Sequence, residues 1–163
     1  GSIGLALVGG RELRAGGYGF PISDEGSGAD LGLRSIQLAL RAHDGRRETT
    51  PLLREVMARF DHEPAKAIAW MDAATATDYA TFAPMVLRHA EQGDAAARQI
   101  VQSGAEQIDT LIRRMLDFDA PLVTLLGGLS GPVAPWLAPD VRRRLKPADG
   151  DAVSGAIILA RMA

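Results

Sequence analysis

Apolar positions change their spacing three times along the chain. Ile3 to Val8 is a short apolar run closed by Gly9-Gly10, and Glu12 to Ala15 is placed to return antiparallel, which predicts a hairpin. From Leu31 the spacing becomes helical through Leu33, Ile36, Leu38 and Leu40, predicting a helix capped by Asp30, running to about His43 and ended by Gly45 at the C′ position. Thr50-Pro51 is a cap followed by a first-turn proline and opens a segment to Phe60. Pro64 opens another through Ile68 and Trp70, and a third covers about Tyr79 to Gln92, stopped by Gly93. The clearest stripe is Ile100, Val101, Ala105, Ile108, Leu111, Ile112 and Met115, one apolar face on a helix from about Asp94 to Leu116. After Pro121, Leu122 to Leu126 has the composition of a buried strand and runs into Gly127-Gly128-Leu129-Ser130. Ala152 to Met162 is small and apolar enough to pack closely on another element.

Glycine sharpens this division. Ten of the 18 glycines fall in residues 1–32 and three (Gly45, Gly93, Gly104) in 33–126. A glycine-rich, strand-like front therefore precedes a helical middle, and a second glycine-rich strand and loop comes before the last helix. The 163 residues suit one domain, long enough to bury roughly 70% of the surface its unfolded form exposes. Eighteen Lys and Arg against 20 Asp and Glu leave a net charge of −2, with no footprint for general nucleic-acid binding or for an anionic membrane. No apolar run approaches the ~20 residues that cross a bilayer. Zero cysteines remove disulfides, zinc ribbons, iron–sulfur ligation and thiol catalysis, which fits a reducing, cytoplasmic setting. The chain opens Gly1-Ser2-Ile3-Gly4 with neither an initiator Met nor a basic leader, as at a cut end or a tag remnant.

Spacing rejects several chemistries. Gly17-Tyr18-Gly19 lacks the third glycine of GxGxxG, and no acidic residue sits where a ribose clamp needs one. The lysines, Lys66 and Lys146, do not follow glycine, so there is no Walker-A loop. Neither Ser27 nor Ser130 fits GxSxG. His43, His62 and His89 lack metal-ligand spacing and read as surface or helix-end residues, and Arg142-Arg143-Arg144 reads as a solvated helix face. What remains is polar loop. Asp24, among Gly19, Gly26 and Gly28, either offers acceptors to sugar hydroxyls or caps a turn. Gly127-Gly128 either lets a flat ligand approach bare backbone or makes a tight strand-to-helix connection.

These loops carry a resemblance. The run Gly16-Gly17-Tyr18-Gly19-Phe20-Pro21-Ile22-Ser23-Asp24-Glu25-Gly26-Ser27-Gly28 resembles the GGWG…GDEGS signature of N-acetylglucosamine and glucosamine kinases, in the BadF-type ATPase group of the sugar-kinase, actin and chaperone-ATPase superfamily. Gly1-Ser2 is similar to the end of the GTGS phosphate motif, Leu125 to Ser130 to the adenosine motif, and Ser154 to Ala160 to the closing small-residue helix. The resemblance spans essentially the whole chain and implies an α/β, ribonuclease-H-like (actin-like ATPase) C-terminal lobe. In that reading Ile3–Val8 and 122–126 share one sheet and about 50–92 is a helical insertion.

Carried onto this chain, the resemblance implies that Gly17, Tyr18 and Gly19 line a sugar site. Asp24 bonds sugar hydroxyls, Ser2 lies near sugar and phosphates, and Gly127, Gly128 and Ser130 flank a nucleotide with Gly104 close to the adenine. Tyr18 stands where many relatives have Trp. ATP and Mg²⁺ are the implied cofactors, an amino sugar the implied substrate, and no metal ligand is assigned here. The DGGGT-like phosphate loop and the catalytic aspartate of such kinases do not occur, so the implied chain is a C-terminal lobe whose partner N-terminal lobe holds the base, inactive when isolated. An activator ATPase of 2-hydroxyacyl-CoA dehydratases is a second reading, weakened by the absence of cysteine, and a non-catalytic binding module a third. Trp70, Met71 and Phe82 need cover, from the monomer core or from a homodimer.

Overall fold

The computed structural model describes residues 1–150, 153–155, 157 and 160. It opens with a two-stranded antiparallel hairpin, β1 (Ile3–Val8) and β2 (Arg11–Gly16), in the register Ile3↔Gly16 to Val8↔Arg11. Gly9 and Gly10 both take positive φ, the backbone a tight turn between the strands demands. A loop then leads into α1 (Gly28–His43), followed by α2 (Pro51–Ala58), α3 (Pro64–Met71), α4 (Ala76–Ala80), α5 (Ala83–Glu91) and α6 (Ala95–Asp117). Two short helices, α7 (Ser130–Val133) and α8 (Pro139–Arg142), come after an irregular stretch. Val153, Ser154, Gly155, Ile157 and Ala160 are helical; the rest of the expected closing segment, Ala152 and Met162 included, lies outside the described residues.

Local chemistry sets the element ends. Ser27, not Asp30, caps α1: its hydroxyl accepts from the Asp30 N–H, while the Asp30 carboxylate reaches back to the Gly26 N–H at 2.8 Å. Thr50 caps α2 ahead of Pro51, as expected. The expected helix from Tyr79 to Gln92 is divided into α4 and α5. Pro84 supplies no N–H and its ring collides with the preceding turn, so α4 ends at Ala80 and α5 restarts at Ala83.

The core lies in two parts along α6, which at ~1.5 Å per residue spans the molecule. Its N-terminal half packs Ala96, Ala97, Ile100 and Val101 against α1, α2 and α5, among Leu31, Leu52, Leu53, Val56 and Val86. Phe60, Trp70, Tyr79 and Phe82 make an aromatic cluster there, with Trp70 edge-on to Tyr79 at 4.8 Å and to Phe82 at 5.7 Å. The monomer core thus covers Trp70 and Phe82, while Met71 stays exposed. The C-terminal half of α6 packs Ile112 and Met115 with Val123, Val133, Leu137 and Val141, beneath the inward residues of the hairpin. Between these halves Gly104 meets the loop before α1. A Cβ on Gly104 would lie 3.0 Å from the Leu31 side chain, and one on Gly26 would lie 2.6 Å from the Gly104 carbonyl oxygen.

One expected contact is not made. The 122–126 segment does not join β1 and β2 in a sheet. Val123 forms only a parallel bridge to Leu145, with the Lys146 N–H donating to the Val123 carbonyl, and a cavity separates the segment from β1. His89 also departs from its expected surface position: it is buried on α5, with Nε2 2.6 Å from the Glu55 carboxylate of α2.

Two packing predictions follow from these contacts. Asp94 is buried, caps α6 through the Ala97 N–H and accepts from the Leu52 N–H of α2. Burial pushes its pKa up, but the bonds from Leu52, Ala97 and Thr50 outweigh it and hold the carboxyl below its ordinary value; Arg88 and His89 lower that of Glu55. A depressed folded-state pKa stabilises above the unfolded value of about 4, and that stability is lost as pH falls through the lower folded value. Asp94→Ala should therefore cost about 2–3 kcal/mol in urea unfolding at pH 7, and the difference from wild type should shrink below pH 4. Gly104→Ala should lower stability by about 1–3 kcal/mol through overpacking against Leu31, read in the same titration.

Candidate functional site

The hairpin register brings the start of β1 beside the end of β2, so Ser2 and Gly17 emerge together at its open end. Gly17 takes φ +71° and lies where a Cβ would sit 2.8 Å from the Ile3 side chain; no larger residue lets the chain turn there. The loop that follows folds back on itself. The Ser23 N–H donates to the Gly19 carbonyl at 2.8 Å, and the Ser27 N–H donates to that of Asp24 at 3.1 Å. Ser2 Oγ donates to the Glu25 carbonyl at 2.6 Å, pinning the loop to the first residues of β1.

Asp24 itself takes φ +66°, in the left-handed region that Asp tolerates better than most residues. This turn aims its carboxylate at the backbone beside Ser2: a Cβ on Gly1 would be 2.7 Å from Asp24 Oδ2. Among the described residues no side chain or backbone N–H donates to that carboxylate, which leaves its acceptors unspent. Tyr18 stands 75% exposed at the loop tip. Arg14 orients it, with its guanidinium 5.4 Å from the ring centroid and its N–H groups on the Gly16 and Gly17 carbonyls.

The structure therefore brings Ser2, Gly17, Tyr18, Gly19 and Asp24 into one loop cluster. The second expected set divides. Gly127, with φ +101°, Gly128 and Ser130 share the loop into α7, where Ser130 Oγ donates to the Gly127 carbonyl at 2.7 Å. A Cβ added to Gly128 would meet nothing within 4 Å, so the space over this loop is open. Gly104 is apart from them, in the contact of α6 with Gly26 and Leu31. A cavity of about 730 Å³ joins the two loops: Ser2, Gly26 and Ser27 line it together with Gly127, Gly128 and Ser130.

Several residues that organise this site were given no part in it from sequence. Arg14 shapes the Gly17 turn, and Ser23 ties it to Asp24 by accepting from the Tyr18 N–H at 3.4 Å. Asp30 holds Gly26 and is itself held by Arg34 at 2.9 Å, which also donates to Ser103 of α6. Their sequence signal is slight: an arginine two residues before paired glycines, and an Asp/Arg pair at helical i,i+4 spacing. No group of three or more His, Cys, Asp or Glu stands close enough to hold a metal among the described residues. Arg142, Arg143 and Arg144 are exposed on and just beyond α8, away from the cavity lining.

The chain is 38% identical over 160 residues to glucosamine kinase GspK of Vibrio cholerae serotype O1, covering 98% of this chain and 54% of that protein. Over 111 residues it is 28% identical to an N-acetylmuramic acid/N-acetylglucosamine kinase of Clostridium acetobutylicum, covering 66% of this chain and 36% of that one. A crystal structure of a presumed N-acetylglucosamine kinase from Chromobacterium violaceum superposes with a TM-score of 0.90 at 38% identity, over 98% of this chain and 56% of its own. The fold is thus the α/β, actin-like ATPase fold expected from sequence. The chain spans about half the length of the relatives it matches. Residues 1–145 match the BadF/BadG/BcrA/BcrD ATPase family model, and the chain belongs to that family.

Proposed function

We infer that this chain forms the ATP- and sugar-binding lobe of a kinase that phosphorylates an amino sugar, glucosamine or N-acetylglucosamine. The observation that carries the reading is Asp24: a carboxylate with open acceptors, fixed by a left-handed turn beside Ser2 in a loop shared with Gly17, Tyr18 and Gly19. Sugar recognition needs such rigid acceptors for hydroxyl donors, and an aromatic face such as that of Tyr18 for the apolar face of the ring. The names of the 38%-identical relatives support the same substrate class. The 2-hydroxyacyl-CoA dehydratase activator, the alternative within this family, bridges subunits through a cysteine-ligated cluster, and this chain has no cysteine.

The loop of Gly127, Gly128 and Ser130 suits the nucleotide, since adenosine lies well against backbone without side chains. The packed position of Gly104 gives it a part in setting the distance between loop and helix, with the adenine approaching from outside that contact. Bound ATP and Mg²⁺ supply the phosphoryl group and neutralise its charge. In this reading the base on the sugar hydroxyl belongs to an N-terminal lobe that closes on this one, since phosphoryl transfer needs donors from all sides of the phosphates. In this reading α2 to α5, the helices of about 50–92, are an insertion that buttresses α6. A cytoplasmic location belongs to the same reading; separately, among the described residues no helix is long and apolar enough to cross a membrane.

Two substitutions in the full-length protein test the reading. Asp24→Asn should raise the sugar KM severalfold or more, from ~1–3 kcal/mol of lost hydrogen bonding, with Tm nearly unchanged; wild-type sugar kinetics would reject the assignment. A Cβ at Gly128 meets no protein atom within 4 Å, so Gly128→Val should keep the fold while ATP binding weakens about tenfold or more, a penalty of ~1–3 kcal/mol. Calorimetric titration of each ligand separates the cases: equal losses for ATP and sugar would remove the nucleotide role of the loop.

A further inference from the structure

The loop that carries Tyr18 and Asp24 touches the helical core through Phe20. That side chain packs against the core, while Tyr18 and Ile22 on either side of it are 75% and 85% exposed. Gly19, between Tyr18 and Phe20, takes φ +103°, backbone that residues with a side chain rarely adopt. Its carbonyl accepts from the Ser23 N–H at 2.8 Å, which closes a short turn around Phe20. The other ties of the loop, Ser2 to Glu25 and Asp30 to Gly26, lie beyond Asp24. Phe20 is the tie between its Tyr18 side and the helices.

What Phe20 meets is firmly held. Its ring centroid lies 4.9 Å from that of Tyr79 on α4, tilted by 50°. Tyr79 is buried and edge-on to Trp70, which packs in turn on Phe60 and Phe82. Rings at such separations attract through their quadrupoles as well as through burial, so the contact favours particular orientations. Among the described residues nothing bonds the Tyr79 hydroxyl, so the ring carries the contact. Thr75 and Asp78 cap α4 reciprocally, each side chain accepting from the backbone N–H of the other. The helix also lies directly on α1. A Cβ on Gly32 would collide with the Tyr79 carbonyl oxygen, and one on Gly28 would sit 3.4 Å from the Ala80 side chain. The loop that ends at the Ser27 cap of α1 therefore rests, at Phe20, on a helix that α1 itself carries.

We propose that Phe20 and Tyr79 are positioning residues of the sugar site. Their ring contact fixes the angle at which the loop presents Tyr18 and Asp24, and through it the helices of 64–80 set sugar affinity. Tyr18 stands two residues before this anchor and Asp24 four after it, with the Gly19–Ser23 bond closing the turn between them. A rotation at Phe20 is therefore passed to both. Neither ring lines the cavity, so the two residues act through the loop and not by touching substrate. Rigid placement is what such a site needs, because a displacement of about 1 Å in a binding group is enough to lose most of its contribution. The proposal rests on the sugar-binding reading of the loop above and adds to it a residue from the helical segment.

The test uses the full-length protein with glucosamine and N-acetylglucosamine as probes. Phe20→Ala and Tyr79→Ala should each raise the sugar KM about fivefold or more and leave the ATP KM within about twofold of wild type. The double variant should exceed either single one only slightly, since both remove the same contact. Tyr79→Phe keeps the ring and should restore the wild-type sugar KM. Phe82→Leu alters the same cluster at a residue whose ring contacts are to Phe60 and Trp70, so it should lower Tm and leave the sugar KM unchanged. Hydrogen exchange without sugar reads the anchor apart from turnover. In Phe20→Ala the Ser23 amide should exchange about tenfold faster, and the Ala97 amide, held by Asp94, should exchange as in wild type. An unchanged sugar KM in both alanine variants would overturn the proposal. Equal rises for sugar and ATP, or a raised sugar KM in Phe82→Leu, would overturn it too, by reducing the contact to core stability. If the wild-type protein phosphorylates neither sugar, the proposed function falls, and Ser23 exchange still decides the anchor: acceleration keeps it and a wild-type rate removes it.

Discussion

The site depends on one close approach, that of Gly26 to the backbone of α6 at Gly104. With no Cβ on either residue, the loop before α1 lies directly on the long helix, and Leu31 closes the contact from the side. The whole loop cluster inherits this position. Asp30 holds the Gly26 N–H, Ser27 starts α1, and the loop then returns over the first residues of β1, where Ser2 clasps the Glu25 carbonyl. A methyl group at Gly26 would meet the Gly104 oxygen and lift the whole loop, moving Asp24 without touching it. The glycines here set a distance between elements as much as they permit a turn.

That contact also joins the two unequal halves of the molecule. The N-terminal half of α6 belongs to a well-filled helical core in which a buried carboxylate, Asp94, ties α2 to α6 and Glu55 bridges α2 to α5. The C-terminal half supports a smaller core beneath a hairpin whose outer residues stay in water. Rigidity therefore resides in the helices, and the loops they hold carry the residues of the proposed site, the division expected when a scaffold positions ligand-binding backbone.

Much of this was legible in the residues, and the failures have definite causes. Thr50-Pro51 and Asp94 are local cap signals whose meaning hardly depends on tertiary context, and both ends fall where expected. The stripe from Ile100 to Met115 is long enough that periodicity alone defines the helix. Pro84 was the overlooked signal in the division of α4 from α5. The loop residues Ser2, Gly17 to Gly19 and Asp24 were proposed through their resemblance to a motif, since spacing alone left Asp24 between a turn cap and a binding group. Arg14 and Arg34 act through carbonyls and carboxylates that only the folded chain brings near. The 122–126 segment was misplaced because strand composition specifies burial and not a partner; its neighbour in space is Leu145.

Tyr18 has an optical consequence. The chain holds two tryptophans, Trp70 inside the aromatic cluster and Trp136 under the Arg98 guanidinium, and neither lines the cavity or belongs to the loop. A relative with Trp at the Tyr18 position would carry a fluorophore in the corresponding loop, the proposed sugar loop. This chain does not, so the indole emission of this region reports the packing of the helical core and the α6 surface. Ligand arrival at the loop would leave that emission nearly silent, and unfolding of the Trp70 cluster would dominate it.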